Sequence, residues 1–180
     1  MIKKWKILES KKLFSSHFIT LREEKLQRPD GKIVKPYYAI KRPNVVYVIP
    51  ITKGGEVILV YQYKNGIKDL ILELPAGFID DGEDPEKAAE RELLEETGYV
   101  GKKPIYIGDF NSGAGLSRNR NYFYLIKDVE KIRGQNLDEN EEIEVKLFPF
   151  KRVLMGIKNL SSILPEVQSQ LGVLLTENIL

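Results

Sequence analysis

Within the 23 residues from Gly77 to Tyr99 the chain sets Gly77, Glu83, Arg91, Glu92, Glu95, Glu96 and Gly98 in the order G-x5-E-x7-R-E-L-x-E-E-x-G. Residue types used at roughly 5–7% each would meet in that spacing by chance on the order of once in 10⁹ windows. The pattern also dictates local structure. Asp84-Pro85 opens a helix, because Asp accepts from orphan backbone amides and Pro at the first helical position loses no hydrogen bond. Gly98 stops it. Inside the helix Ala88, Glu92 and Glu96 stack at i, i+4 with Glu95 beside them, while Ala89, Leu93 and Leu94 mark the side expected to be buried.

Like charges four residues apart oppose a helix by roughly 0.2–0.5 kcal/mol per pair when solvated, and by more when covered. Arg91 reaches Glu95 at i+4, which leaves Glu92 and Glu96 without a cation from their own helix. A hard divalent ion with oxygen ligands would satisfy them. Mg²⁺, which keeps several waters and suits phosphate-bearing substrates, is the best candidate, with Mn²⁺ as a substitute. A helix rich in Glu, Lys and Arg is more often a solvated face. Here Pro75-Ala76-Gly77 turns a strand end toward the helix, Gly77 and Gly82 permit close backbone approach, and Glu83 enters just before the cap. Strand, glycine loop and helix together form an acidic cradle.

The remaining composition narrows the chemistry. The chain has no cysteine and a single histidine, His17, which excludes disulfides, thiolate metal sites and a cysteine nucleophile, and leaves a His-paired serine or a two-His metal site without partners. Acid–base work falls to carboxylates, metal-bound water, Lys or Tyr. With 28 basic and 26 acidic side chains the net charge is +2, too small a field to pull in nucleic acid or an acidic membrane. Lys3, Lys4, Lys11 and Lys12 read as solvated surface. The start Met-Ile-Lys-Lys-Trp lacks an apolar h-region, and no run approaches the ~18 apolar residues of a membrane span, so a cytoplasmic location is expected.

At 180 residues the chain suits one main domain with an extension. Residues 1–42 read as a small antiparallel β extension, with Pro29-Asp30-Gly31 as the turn between Phe18–Gln27 and Lys32–Lys41. Residues 43–180 read as the main domain. Val45–Ile51 and Val57–Tyr63 predict a hairpin, Leu70–Leu74 a strand running into the glycine loop, and further strands follow at Pro104–Phe110, Tyr122–Ile126 and Ile143–Phe150. Two more helices are predicted at Arg152–Lys158 and within Ser161–Thr176. Leu137–Glu144 reads as an acidic loop.

The Gly77 to Tyr99 stretch resembles the Nudix box, the signature of hydrolases that cut nucleoside diphosphates linked to another moiety. It matches without a gap, Tyr99 standing where the family usually has an aliphatic residue. The resemblance implies an α/β fold, the Nudix α/β/α sandwich with a mixed sheet, Mg²⁺ dependence, and attack of water on a pyrophosphate phosphorus. By motif position it makes Glu92 and Glu96 metal ligands, Glu95 a ligand or its neighbour, Glu83 a ligand through water, and the Ala76 carbonyl a further ligand. Arg91 would orient a glutamate.

Leu72-Glu73-Leu74-Pro75-Ala76-Gly77, the extension and the chain length are similar to the ADP-ribose and nucleotide-sugar pyrophosphatases of that superfamily. Those are typically dimers that exchange an N-terminal sheet, so a homodimer is implied. The acidic loop resembles the one that supplies their catalytic base, with Glu139 the best positional match and Glu141 next. Lys64 falls where relatives place a phosphate-gripping arginine, and Glu73, Gly115 and Arg118 are further substrate-binding candidates. Arg120 is another cation that could meet phosphate. Phe18, Tyr37 and Tyr47 could stack on a base or pack in the core. Ala114 stands where members acting on ADP-ribose usually have proline. The readings carried forward are cleavage of ADP-ribose to AMP and ribose 5-phosphate, cleavage of another nucleotide sugar such as GDP-mannose, and a sensing module without turnover.

Overall fold

A computed structural model describes residues 2–180. They divide into two compact units, one comprising the chain up to Asn44 together with Phe110–Arg120, the other Val45–Asp109 and Asn121–Leu180. The contribution of residues 110–120 to the first unit is not visible in local sequence pattern.

The first unit is a three-stranded antiparallel sheet in the order β1 (Lys6–Ser15), β2 (Thr20–Gln27), β3 (Ile33–Lys41). The β2 to β3 reversal falls on Pro29-Asp30-Gly31. Gly31 takes φ +84°, a conformation open to glycine at no steric cost, and the Asp30 side chain accepts from the Lys32 amide at 3.2 Å. The segment before Arg120 docks on β3, where Ile40 donates to the Leu116 carbonyl at 2.8 Å and Arg118 donates to the Ile40 carbonyl at 3.0 Å. β1 is exposed along its whole length.

The second unit is a mixed sheet between helices. β4 (Val45–Thr52), β5 (Glu56–Lys64), β6 (Asp69–Glu73), β7 (Ala76–Phe78), β8 (Tyr99–Val100), β9 (Ile105–Phe110), β10 (Asn121–Lys131) and β11 (Ile143–Pro149) include the central path β11-β5-β4-β10-β8. β4 and β10 run parallel, with Val45 opposite Asn121 and Val48 opposite Tyr124. The predicted β4–β5 hairpin forms, yet the two strands pair only at Ile51 with Val57. Beyond it β5 turns to β6 and β4 to β7, which inserts the glycine loop beside β4.

Helix α1 (Pro85–Thr97) covers one face, and α2 (Phe150–Lys158) and α3 (Val167–Thr176) cover the other. Ala88, Ala89 and Leu93 pack on Val46, Val48, Ile58 and Ile126. Val153, Leu154, Ile157 and Val173 pack on Ile49, Leu59, Phe123 and Leu125. The α/β/α sandwich with a small antiparallel N-terminal sheet is thus the observed fold. Asp84 caps α1 by accepting from the Glu86 amide, and Gly98 ends it at φ +78°.

One expectation needs correction. Leu94 is half-buried, whereas Glu92 and Glu96 are buried with Ala88, Ala89 and Leu93, because the glycine loop rather than the sheet covers the acidic line. The last helix, expected within Ser161–Thr176, spans Val167–Thr176. Pro165 disfavours helix in the residue before it, and Glu166 supplies the cap by accepting from the Ser169 amide at 2.9 Å. Among the described residues no helix is long and apolar enough to cross a membrane.

Candidate active site

The site grows from the junction of β7 and α1. Gly77 lies opposite Val46 and Ala76 opposite Tyr47. A Cβ on Gly77 would stand 2.1 Å from the Glu92 carboxylate, so the glycine is required by that carboxylate rather than by a turn. The Ala76 amide donates to Glu96 Oε2 at 3.0 Å. Both members of the i, i+4 acidic pair therefore lie against the backbone of the glycine loop.

Arg91 spreads its fork over the rest of the cluster. Nε and Nη2 donate to the two oxygens of Glu83 at 2.8 Å each, Nη1 to Glu92 at 2.7 Å and to Glu95 at 3.1 Å, and Nη2 also to the Phe78 carbonyl at 3.0 Å. Helical spacing pointed to Glu95 alone. The planar guanidinium serves several acceptors at once, so Glu92 does have a cation from its own helix, which corrects that expectation. Glu83 also accepts from the Asp80 amide at 3.0 Å. Hydrogen bonds from Arg91 hold its carboxyl below the usual carboxylate range.

Burial acts oppositely on the other two glutamates. It pushes Glu92 up to about 7 against the pull of Arg91. It pushes Glu96 well above the ordinary value, with the charge of Glu92 adding to the rise. Glu96 is 3% exposed, and among the described residues its carboxylate accepts only the Ala76 amide and has no ion-pair partner. An ionised carboxylate so placed is costly until a cation arrives.

Lys64 pairs with Glu73 at 2.7 Å, and Gln62 donates to the same Glu73 oxygen at 2.8 Å. Burial raises the Glu73 pKa while Lys64 opposes the rise, and the charge of Lys64 also favours ionised Glu96. In the acidic loop Asp138–Glu141 forms a turn, the Glu141 amide donating to the Asp138 carbonyl at 3.0 Å. Glu139 is exposed on that turn. Glu141 is exposed too, and its charge raises both Glu92 and Glu96. Lys64, Glu73, Ala76, Glu83, Arg91, Glu92, Glu95, Glu96, Glu139 and Glu141 all belong to the second unit.

Gly115 and Arg118 belong to the first. Arg118 Nη2 donates to both oxygens of buried Glu24 at 2.8 and 2.7 Å. The Gly115 carbonyl accepts from the Tyr37 hydroxyl at 2.9 Å. Both residues line a cavity of about 390 Å³ with Trp5, Glu24, Leu26 and Tyr37. Of the other aromatic candidates, Tyr47 stacks on core Phe123 and donates to Glu166 at 3.2 Å, and Phe18 meets His17 edge-on. Sequence reasoning missed Glu24, Gln62, Gln135 and Glu166. Glu24 meets Arg118, Gln135 meets Glu96 and Glu166 meets Tyr47 across long stretches of chain, and no local pattern marks those contacts.

Among the described residues no three acidic or imidazole side chains stand at metal-ligand spacing, and the Arg91 fork occupies Glu83, Glu92 and Glu95. The donor set still fits a hard divalent cation: it is all oxygen, and it contains a buried carboxylate with no cationic partner.

A mixed sheet sandwiched by helices, with a glycine loop pressed on buried helical glutamates, defines a class of protein that other members share. The NUDIX domain family matches residues 41–167, and the nucleoside diphosphate sugar hydrolase N-terminal domain matches residues 5–40. The chain is similar to the ADP-ribose pyrophosphatase of Bacillus subtilis (strain 168), at 35% identity over 78% of this chain and 76% of that protein. It is also similar to the methanol dehydrogenase activator of Bacillus methanolicus, at 30% identity over 85% of this chain and 83% of that protein. A solved structure described as an ADP compounds hydrolase superposes with a TM-score of 0.84 at 22% identity, covering 99% of this chain and 95% of that one, a likeness of fold. The chain belongs to the Nudix family and is a hydrolase. Nudix hydrolases generally use divalent metal ions.

Proposed function

We propose that the chain hydrolyses the pyrophosphate bond of a nucleoside diphosphate sugar, with ADP-ribose, cut to AMP and ribose 5-phosphate, as the leading substrate and Mg²⁺ as the metal. The observation that carries this reading is the buried Glu96 carboxylate, held by one backbone amide and facing Glu92 with no cation of its own. Acidic side chains alone would repel a diphosphate, so such a cluster is useful in hydrolysis only with metal present. The similarity to an ADP-ribose pyrophosphatase and the match of residues 5–40 to a nucleoside diphosphate sugar hydrolase domain support the substrate class.

In this reading Glu92, Glu96 and the Ala76 carbonyl hold the metal, with Glu95 beside them. Arg91, braced by Glu83, sets the Glu92 carboxylate in place. Bound metal would neutralise diphosphate charge and lower the pKa of water. Lys64, steadied by Glu73 and Gln62, supplies a point charge to a phosphate oxygen. Glu139 or Glu141 of the acidic loop takes the base role, and the charge of Glu141 acts on both buried glutamates. Gly115 and Arg118, which belong to the first unit, are the further substrate-binding residues of this reading. The reading also includes a cytoplasmic homodimer formed through the first unit, supported by Trp5, Ile7, Leu8, Leu13 and Phe14, all exposed on or beside β1.

The test is Mg²⁺-dependent release of nucleoside monophosphate from ADP-ribose, ADP-glucose, GDP-mannose, a diadenosine polyphosphate and nucleoside triphosphates. Glu96→Gln should lower turnover at least ~10²-fold with the fold retained, since loss of a metal-centred charge removes several kcal/mol of transition-state stabilisation. Near-normal rates in that variant would overturn the metal assignment. Tight binding without turnover would favour a sensing module, and selective cleavage of GDP-mannose would move the substrate to another nucleotide sugar.

A further inference from the structure

The last carbonyls of a helix have no partner within it and must find one outside. At the end of α1 the Leu94 carbonyl is taken by the Gly98 amide and the Leu93 carbonyl by the Thr97 hydroxyl. The next two are taken by a segment far along the chain. The Asn136 amide donates to the Glu95 carbonyl at 2.9 Å, and the Gln135 side-chain amide donates to the Glu96 carbonyl at 2.6 Å. The same Gln135 nitrogen donates to the Ile143 carbonyl at 3.0 Å. A primary amide carries two N–H groups, so the two bonds coexist.

Gln135 and Ile143 are the two ends of the acidic loop, with residues 136–142 between them, Glu139 and Glu141 included. The segment leading into the loop is fixed as well. The Ile132 and Arg133 amides donate to the Gly98 carbonyl at 3.0 and 3.3 Å, and a Cβ on Gly98 would meet the Arg133 carbonyl at 2.2 Å. One side chain thus ties both ends of the loop to the backbone of Glu96. We infer that Gln135 is a positioning residue that clamps the neck of the acidic loop onto the glutamate end of α1, and so sets where Glu139 and Glu141 stand relative to the cluster.

The catalytic consequence rests on the reading of the chain as a pyrophosphatase with its base in this loop; the clamp itself does not. A clamp of this kind should act on turnover more than on substrate affinity, because it orders the base without touching substrate. It differs from an ordinary structural hydrogen bond in being local. Its loss should free residues 136–142 and leave the sheet and helices unchanged.

The experiment compares wild type with Gln135→Glu, which keeps the size of the side chain and loses the donor, and with Gln135→Ala. Gln135→Lys restores N–H donors. Hydrogen exchange, read without substrate, should be at least about tenfold faster across 136–142 in the Glu and Ala variants, Asn136 foremost, with α1 and the sheet at wild-type rates. On the nucleotide sugar that the panel identifies, kcat should fall about tenfold with KM within about twofold, and the Lys variant should recover much of the loss. Unchanged exchange in the loop, or exchange that rises uniformly through the chain, would overturn the clamp. Local loosening in a chain whose wild type cleaves no nucleotide sugar would keep the clamp and sink the functional reading. Local loosening with kcat intact would overturn the positioning role.

Discussion

Gly77 shows how a single missing methyl can specify chemistry. Its backbone is not in the left-handed region, so alanine would be conformationally allowed, yet a Cβ would stand 2.1 Å from the Glu92 carboxylate. Gly77→Ala should therefore cost only the about 1–3 kcal/mol typical of overpacking, because the Glu92 side chain can swing away. Turnover should suffer more, by at least ~10²-fold, since a carboxylate displaced by an ångström no longer meets its target. Urea denaturation beside kcat/KM measures the two effects separately; a variant with wild-type turnover would remove Glu92 from the site. The motif glycine was legible in the sequence as permitting close approach. That its neighbour would be a carboxylate of the same motif was not, because the approach depends on β7 pairing with β4.

At the scale of elements, the end of α1 carries two duties, to stop the helix and to receive the segment 132–136. Gly98 takes φ +78° and its Cβ position coincides with the Arg133 carbonyl. Gly98→Ala pays roughly 1–2 kcal/mol for the left-handed backbone and also forces a backbone carbonyl aside, so a loss of at least about 2 kcal/mol is expected. Thermal denaturation checks it, and a loss below about 1 kcal/mol would mean that the 132–136 segment moves freely. Periodicity and caps made α1 readable, since Asp84, Pro85 and Gly98 are local signals. The same local rules misplaced Leu94, and they were silent on residues 110–120, where long-range pairing decides. Glu24 illustrates the limit. In β2 it reads as one more charge among Arg22, Glu23 and Lys25, and in its buried position it is satisfied by the salt bridge to Arg118, 94 residues away, and by the Ser10 hydroxyl.

Assembly, protonation and metal binding are properties of the whole molecule. The apolar side chains exposed on β1 should be covered by a second copy. Light scattering is therefore expected to give twice the 20.7 kDa chain mass, and Phe14→Glu should shift the equilibrium toward monomer; a fully active monomeric wild type would count against that surface. Protonation bears on folding through Glu92 and Glu96. Burial lifts Glu92 from 4.5 to about 7 and raises Glu96 as well, so between those values the folded chain holds protons that the unfolded chain has released. The stability contributed by Glu92 is then fully present below about pH 4.5 and is lost as pH rises through about 7, and Glu96 acts in the same direction. A divalent cation held by the ionised carboxylates would reverse this trend, because ligand that binds only the folded state stabilises it by mass action. Millimolar Mg²⁺ should raise the thermal midpoint markedly at about pH 8 and little at about pH 5, and Glu96→Gln should stabilise the metal-free chain at the higher pH while abolishing most of the Mg²⁺ shift. An equal Mg²⁺ shift at both pH values would place the ion away from Glu92 and Glu96.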